Sequence, residues 1–527
     1  MSSFAIQNYE WQKLGGVKQF SIFHPKGPTD PSFDLFDPFD PTATIILDGN
    51  NRVAYIAKLD SVGNFQWVQK IDGAGVDIGY DIAVDGDNVY ATGLFQGSAT
   101  FGGGKDSSEI DISGSIELGG SSNVAYIAKL DADGNFQWVQ KIDGVGSDGA
   151  LGIAVDGDNV YATGGLAGNA TFGGGKDSNG DLIDSSGIDL SGDESVTYIT
   201  KLDASGNFQW ARKIDVLFVD EGRDIAVDGD NVYVTGRTAG GNKGFAYIVK
   251  LDSSGNFQWV QNIEGVGVDE GFGIAVDGDN VYATGYFNGV VAGTATFGGG
   301  KYSSGNVIDS SSIVLSGNIV AAYITKLDSS GNFQWVQKID GANGDIGYGI
   351  AVDQGNVYAT GSFNRSNIVT FGGGKDLNGD DISGSNSIDL SGVGFATAYI
   401  TKLDANGNFQ WAQKIDGTGI DEGVDIAVDG GNVYATGYFD GSISNVTFGG
   451  GKDSSGDLID SSGIELGGSN GVAYITKLDS SGNFQWVQKI DGVGFDIGNG
   501  IAVDGGGVYA TGRFNSTATF GGGKSIN

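Results

Sequence analysis

Hydrophobic and polar residues alternate in four short runs that recur, in one fixed order, seven times between residues 44 and 527. One full copy reads Ile82–Val84, Val89–Thr92, Tyr126–Leu130 and Phe136–Ile142. Period-two alternation rich in Val, Ile, Tyr and Phe predicts four strands per copy, here lettered a to d. The a–b connection is DGDN or a close variant, and c–d is LDADGN or LDSSGN. Asp, Asn and Gly in those phrases supply the positive φ values of tight hairpins. The tryptophans of the FQW phrase are Trp67, Trp138, Trp210, Trp259, Trp335, Trp411 and Trp486, and the first isoleucine of IAVD follows each at the same offset, from Ile82 to Ile501. A unit this small cannot bury its apolar faces alone and must stack on its copies. The expected fold class is all-β, a seven-bladed β-propeller of four-stranded blades.

Six copies carry extra sequence between b and c, a TFGGGK phrase followed by one such as IELGG; Thr100–Lys105 and Ile116–Gly120 are one pair. The two phrases read as an added b–c hairpin. The chain ends on the first phrase, Thr519–Lys524, and Ile45–Gly49 matches the second. Pairing of Thr519–Phe520 with Ile45–Leu47 would join a and b from the C-terminus to c and d from residues 53–71, a two-plus-two ring closure. An eighth blade is the competing arrangement, because Asn8–Leu14 (NYEWQKL) echoes NFQWVQKI, but no IAVD-like run follows Trp11. In one copy the hairpin is missing, and Gly236 reaches Ala246 through RTAGGNKGF alone.

The GIAVD, NVYATG, AYIAKLD and GNFQW blocks resemble the SBBP-type bacterial β-propeller repeat over about nine-tenths of the chain. The resemblance implies a propeller and a secreted or surface protein, and it specifies no activity. The chain departs from the family pattern in residues 1–43 and in its long b–c insertions.

All five prolines of the 527 residues lie in Pro25–Pro41, whereas Gly, at 95, runs throughout. Residues 1–43 therefore read as an extended arm and residues 44–527 as a single repeat domain. A formal charge of −36 argues against nucleic acid and anionic membrane as partners. The absence of cysteine removes disulfides and thiol chemistry, and a lone histidine, His24, leaves no Ser–His–Asp set. No run approaches the ~18 apolar residues of a membrane-spanning helix, and the first residues lack a signal-peptide pattern. The expectation is a monomer without membrane insertion, placed outside the cell or at its surface by a signal removed or borne on a longer parent.

Ten residues after each FQW tryptophan stands Asp77, Asp148, Asp220, Asp269, Asp345, Asp421 or Asp496, and five after it Asp72, Asp143, Asp215, Glu264, Asp340, Asp416 or Asp491. Carboxylates at that density recruit cations, and Ca2+ suits oxygen-rich flexible sites; the alternative is a turn role in which each aspartate accepts backbone amides. A second candidate for Ca2+ is the insertion phrase Asp177, Asn179, Asp181, repeated at Asp376–Asp380 and Asp453–Asp457. The lysines from Lys58 to Lys477 are expected to pair with Asp60 to Asp479, and the tryptophans to pack between blades. After the near-constant (A/V)TG of strand b the residue changes freely: Leu94, Gly165, Arg237, Tyr286, Ser362, Tyr438 and Arg513. Those side chains, with Lys243 beside Arg237 at the missing hairpin, form the candidate ligand surface. The chain reads as a non-enzymatic binding or structural module for a glycan or protein ligand, dependent on Ca2+. The alternatives are a Ca2+-assisted polysaccharide hydrolase or lyase and a display module of a larger adhesin-like protein.

Overall fold

The computed structural model describes residues 43–526 except 184–186, 193–194, 215–218, 241–242, 290–292, 309–311, 365–367, 383–386 and 460–462. The arm and the Trp11 segment lie outside the described residues. Within them the protein is all-β, with antiparallel strands in repeated sheets of β-propeller type and no helix. Strands pair a–b–c–d, as in Ile82 with Ala91, Ala91 with Ala128, and Ala128 with Val139.

This pairing recurs in seven sets among the described residues. The first comprises Ile78–Asp85, Asn88–Gly102, Ser115–Asp131 and Phe136–Gly144. The second comprises Gly149–Asp156, Asn159–Ala167, Ser195–Asp203 and Phe208–Ile214. The third comprises Val219–Asp228, Asn231–Gly240, Lys243–Asp252 and Phe257–Glu264. The seventh joins the chain's two ends, with a and b at Ile497–Asp504 and Gly507–Gly521 and c and d at Thr44–Leu59 and Phe65–Gly73. There Ile45 pairs with Phe520, Ile46 with Thr519 and Leu47 with Ala518, the register expected from the split hairpin phrase.

Apolar clusters straddle successive sets. Ala54, Ile56 and Trp67 of the seventh pack with Ile82, Phe95 and Tyr126 of the first. Each FQW indole lies between sets and donates Nε1–H to the next c–d turn, Trp67 to Ala132 O at 2.9 Å and Trp138 to Ala204 O at 3.0 Å. The turn residue under Trp67 is Gly134, at φ +85°, where a Cβ would lie 2.8 Å from the ring. Glycine there satisfies both the turn and the close approach. The lysine expectation is corrected: Lys129 lies 5.3 Å over the Tyr90 ring and reaches Ala204 O, and Asp131 instead accepts the amides of Asp133 and Asn135 in its own turn. A short aspartate closes its own hairpin more readily than it reaches across strands.

The inserted hairpins extend the preceding set. Phe101 pairs with Ile71 and Lys105 with Val68, so the first set's insertion lies along the outer edge of the seventh set's d strand. Phe101 then stands edge-on to Tyr126 and Phe136 of its own set, at 5.2 and 5.8 Å. Gln69 binds both neighbours, accepting from Gly104 N at 3.0 Å and donating to Gly134 O at 2.8 Å.

Candidate functional site

The +10 aspartates turn inward. Asp77, Asp148, Asp220, Asp269, Asp345, Asp421 and Asp496 are all buried. Asp77 accepts from Gly73 N at 2.6 Å and Gln96 N at 3.3 Å, Asp421 from Gly417 N at 2.6 Å and Asp440 N at 3.1 Å, and Asp496 from Gly492 N at 2.6 Å and Asn515 N at 3.0 Å. They tie the d–a loop to the end of strand b, the turn role rather than an open ring of cation ligands. Burial raises the carboxyl groups of Asp77, Asp148 and Asp269 to about 6, Asp421 and Asp496 to about 7 and Asp345 to about 8. Among the described residues five of the +5 carboxylates pair with the lysine two residues earlier, as in Lys70–Asp72 at 3.1 Å and Lys414–Asp416 at 2.9 Å, while Glu264 has Asn262 in that place. At the insertion tip Asp177 accepts the amides of Asn179 and Asp181, both at 2.9 Å, which makes the phrase a turn. Among the described residues no three acidic or histidine side chains are gathered as metal donors.

A cavity of about 230 Å³ is lined by Tyr80, Asp81, Leu151, Arg223, Asp224, Phe272, Tyr348, Gly349, Val424, Asp425 and Asn499, which come from all seven a strands. Neighbouring a strands approach closely: a Cβ on Gly152, Gly349 or Gly500 would lie 2.8 Å from the Cα of Asp224, Asp425 or Asp81. Each aspartate at this level thus stands against a glycine of the adjacent strand, and Gly273 and Gly349 stand against each other. Asp81 caps its own strand and the next, accepting from Ile82 N and Ile153 N, both at 2.7 Å. Asp224 does the same for Ile225 and Ile274, and Asp425 for Ile426 and Ile501. Burial raises all three carboxyl groups, Asp224 to about 7 and Asp425 to about 6, and the charges of Asp224 and Asp425 push Asp81 up further.

Above the aspartates the lining is aromatic and charged. Arg223 bonds Glu270 through Nε at 2.6 Å and Glu221 at 3.1 Å, and lies 5.3 Å from the Phe272 ring. Arg237 joins the same two glutamates, each at 3.3 Å, and Tyr286 donates to Glu270. Phe272 stands 5.0 Å from Tyr348, and Tyr438 stands 4.9 Å from Phe495. The Arg513 side chain makes no ion pair or hydrogen bond among the described residues; burial and nearby Arg52 depress its guanidinium, and its buried Nε has no partner.

The candidate ligand residues thus divide. Arg237 and Tyr286 join the Glu270 cluster that also holds the cavity-lining Arg223, and Tyr438 and Arg513 interact electrostatically with the cavity-lining Tyr348 and Tyr80. Leu94 occupies the equivalent b position against Ile78. Lys243 is exposed across from Gly240 at the hairpin end, and the structure does not bring it into the Arg237 network. Arg237 is itself paired with Glu221 and Glu270, so it and Lys243 do not act as one basic patch at the missing hairpin. What sequence reasoning missed is the a-strand contribution. Its signal was present in the two residues before IAVD, which read YD, LG, RD, FG, YG, VD and NG while the rest of the phrase stays constant.

No protein-family model matches the chain. A stretch of 127 residues, 24% of the chain, is 29% identical to an uncharacterized WD repeat-containing protein of Acanthamoeba polyphaga mimivirus, and it spans only 8% of that protein. Among solved structures, Sqt1 of Chaetomium thermophilum is 13% identical over 83% of this chain and 95% of its own, with a TM-score of 0.35. Sqt1 bound to the N-terminus of a ribosomal protein is similar at a TM-score of 0.34, 13% identity, 84% of this chain and 97% of its own.

Proposed function

We propose that the seven sets close into one ring, a seven-bladed β-propeller that binds polypeptide partners without catalysing a reaction on them. Closure is supported by bonds that repeat the inter-set pattern across the chain's ends: Trp486 Nε1 to Ser61 O at 3.3 Å and Gln488 Nε2 to Gly63 O at 2.8 Å. The observation that carries the binding reading is the gathering of unlike residues on a uniform frame. Tyr80, Arg223, Phe272, Tyr348 and Asn499 come from five different sets and line one cavity, and Tyr438 and Arg513 lie close enough to Tyr348 and Tyr80 to interact with them electrostatically. Aromatic and arginine side chains are the types that dominate protein interfaces. Arg513 is half-buried, makes no ion pair among the described residues and has the buried Asp496 as its carboxylate neighbour only at longer range, so it suits an acidic side chain of the partner. Hydrolase or lyase chemistry is disfavoured because Asp81, Asp224 and Asp425 each use both oxygens to cap strand amides. Such carboxylates are not poised for general acid–base work.

The test is a displayed peptide library panned on the immobilised chain. Selected peptides should carry an acidic residue and bind at least ten-fold more weakly to Arg513→Gln and to Tyr438→Ser, with both variants melting as the parent does. Affinity unchanged in both would place the ligand elsewhere. A glycan bound at the mouth, lost with the same substitutions while no peptide is selected, would replace the polypeptide reading.

A further inference from the structure

A second cavity, of about 460 Å³, lies where the third set lacks its hairpin, and it is lined by Ile214, Phe245, Tyr247, Phe257, Trp259, Asn262 and Tyr302 among others. Six sets fill the equivalent space with a phenylalanine of their own: Phe101, Phe172, Phe297, Phe371, Phe448 and Phe520, each edge-on to the tyrosine of strand c and the first phenylalanine of strand d. Each also pairs with an isoleucine on the preceding d strand, as Phe172 does with Ile142 and Phe297 with Ile263. In the third set, among the described residues, Tyr247 and Phe257 have no such ring against them and Ile214 has no strand on its outer side. Phe257 is 38% exposed, whereas Phe65, Phe136, Phe333, Phe409 and Phe484 are 1–7% exposed and Phe208, on the open d strand, is part-buried. The second set's d strand, Phe208–Ile214, pairs on one side only among the described residues, with its own c strand.

The flanking sequence departs from the repeat at the same place. Gln becomes Arg212, which keeps the donor bond to the next turn, Nε to Gly255 O at 3.1 Å, where the other sets' glutamines also accept a hairpin glycine amide. Lys becomes Asn262; elsewhere that lysine binds its own hairpin's carbonyl, as Lys141 does Gly119 O at 2.8 Å. Asp becomes Tyr302 in the hairpin on the far wall, adding a ring to the opening.

We propose that this open edge and its aromatic socket accept an extended strand from a partner polypeptide, one carrying a phenylalanine preceded by threonine and followed by glycines. The strand would pair along Phe208–Ile214 and seat its ring between Tyr247 and Phe257. Strand addition of this kind draws affinity from main-chain hydrogen bonds and selectivity from the side-chain pocket. The six internal hairpins specify the occupant: a small residue, Thr, Phe, then three glycines that let the backbone pass close to the d strand. A Cβ on Gly104 would lie 2.1 Å from Val68 O, so nothing larger fits that passage. No phenylalanine in residues 1–43 is followed by glycine, so the arm does not match this template.

The experiment titrates the full chain into a fluorescein-labelled peptide, Ser-Ala-Thr-Phe-Gly-Gly-Gly-Lys-Asp-Ser, read by polarisation. Saturable binding is expected, at least ten-fold weaker for the peptide with Ala in place of Phe and for Phe257→Ala, a change at a part-exposed site. A variant with residues 97–122 grafted into the third set's b–c turn should lose the peptide and melt higher than the parent. No saturable binding, equal binding of the Ala peptide, or undiminished binding by the graft would overturn the proposal. So would concentration-dependent dimers dispersed by the peptide, which assign the socket to a second copy, and binding seen only after deletion of residues 1–43, which assigns it to the arm.

Discussion

Phe257 and Phe484 hold the same place in the repeat, one with and one without the wedge ring, so truncating each to alanine measures what the inserted hairpin contributes. Phe484 is 2% exposed and stands 5.8 Å from Phe448 at an interplanar angle of 89°. Removing a ring so enclosed forfeits its transfer energy, opens a void and breaks an edge-to-face pair, about 3–5 kcal/mol together. Phe257, at 38% exposed, retains roughly six-tenths of its burial. It has no ring partner among the described residues, and its removal enlarges a space already open, so its loss should cost about 1–2 kcal/mol. Urea unfolding followed by tryptophan fluorescence compares the two variants with the parent, using midpoints at constant slope. The expected order is Phe484→Ala well below Phe257→Ala, by about 2 kcal/mol. Equal midpoints, or a larger loss at Phe257, would refute the socket.

Stability should fall as pH rises from about 4 to about 8. Asp345, Asp421, Asp496 and Asp224 have folded-state values raised to between about 7 and about 8. Between the ordinary carboxylate value and those the folded state holds more protons than the unfolded one, so their contribution is complete at low pH and lost through that window. The melting temperature should be higher at pH 5.5 than at pH 8 and the difference should survive 0.5 M salt, which screens surface repulsion but not buried groups; a flat profile would contradict it. Gly500→Ala places a Cβ 2.8 Å from the Asp81 backbone, whereas Gly165→Ala meets nothing nearer than 3.6 Å. The first should cost about 1–3 kcal/mol and the second less than about 0.5 kcal/mol, and equal melts would mean that the a strands are not tightly apposed.

The four-strand unit and the joining of the chain's ends were legible because both are written as phrases: TFGGGK at the end and IILDG near the start are halves of one hairpin. The aspartate ring was legible only as spacing. An offset of ten from tryptophan places Asp77 in the d–a loop, but the side chain's inward turn depends on the Gly73 amide waiting four residues earlier. The cavity mouth was half legible. Strand b announced itself by varying after a constant TG, while Tyr80 and Asp81 stand directly before the run Ile82–Val84 that marks strand a and carry no pattern of their own in it. The hairpin's absence was plain from the shortened loop, and its consequence was not. The socket joins Ile214, Tyr247 and Phe257, residues of two sets whose contact with a missing phenylalanine has no local sequence signature.

The cavity lined by all seven a strands exists only if the seven sets share one axis, and the Ile46–Thr519 pair is where the chain would close upon itself. Ile46 is 45% exposed and faces Thr519 directly across the ladder. Opposed residues in an antiparallel pair lie within disulfide reach, and the chain has no cysteine to compete. The measurement is oxidation of the Ile46→Cys, Thr519→Cys double variant, read by non-reducing gel mobility and by the melt. A closed ring predicts near-complete intrachain crosslinking and a higher melting temperature that reductant reverses. Free thiols after oxidation, or crosslinks only between chains, would contradict it.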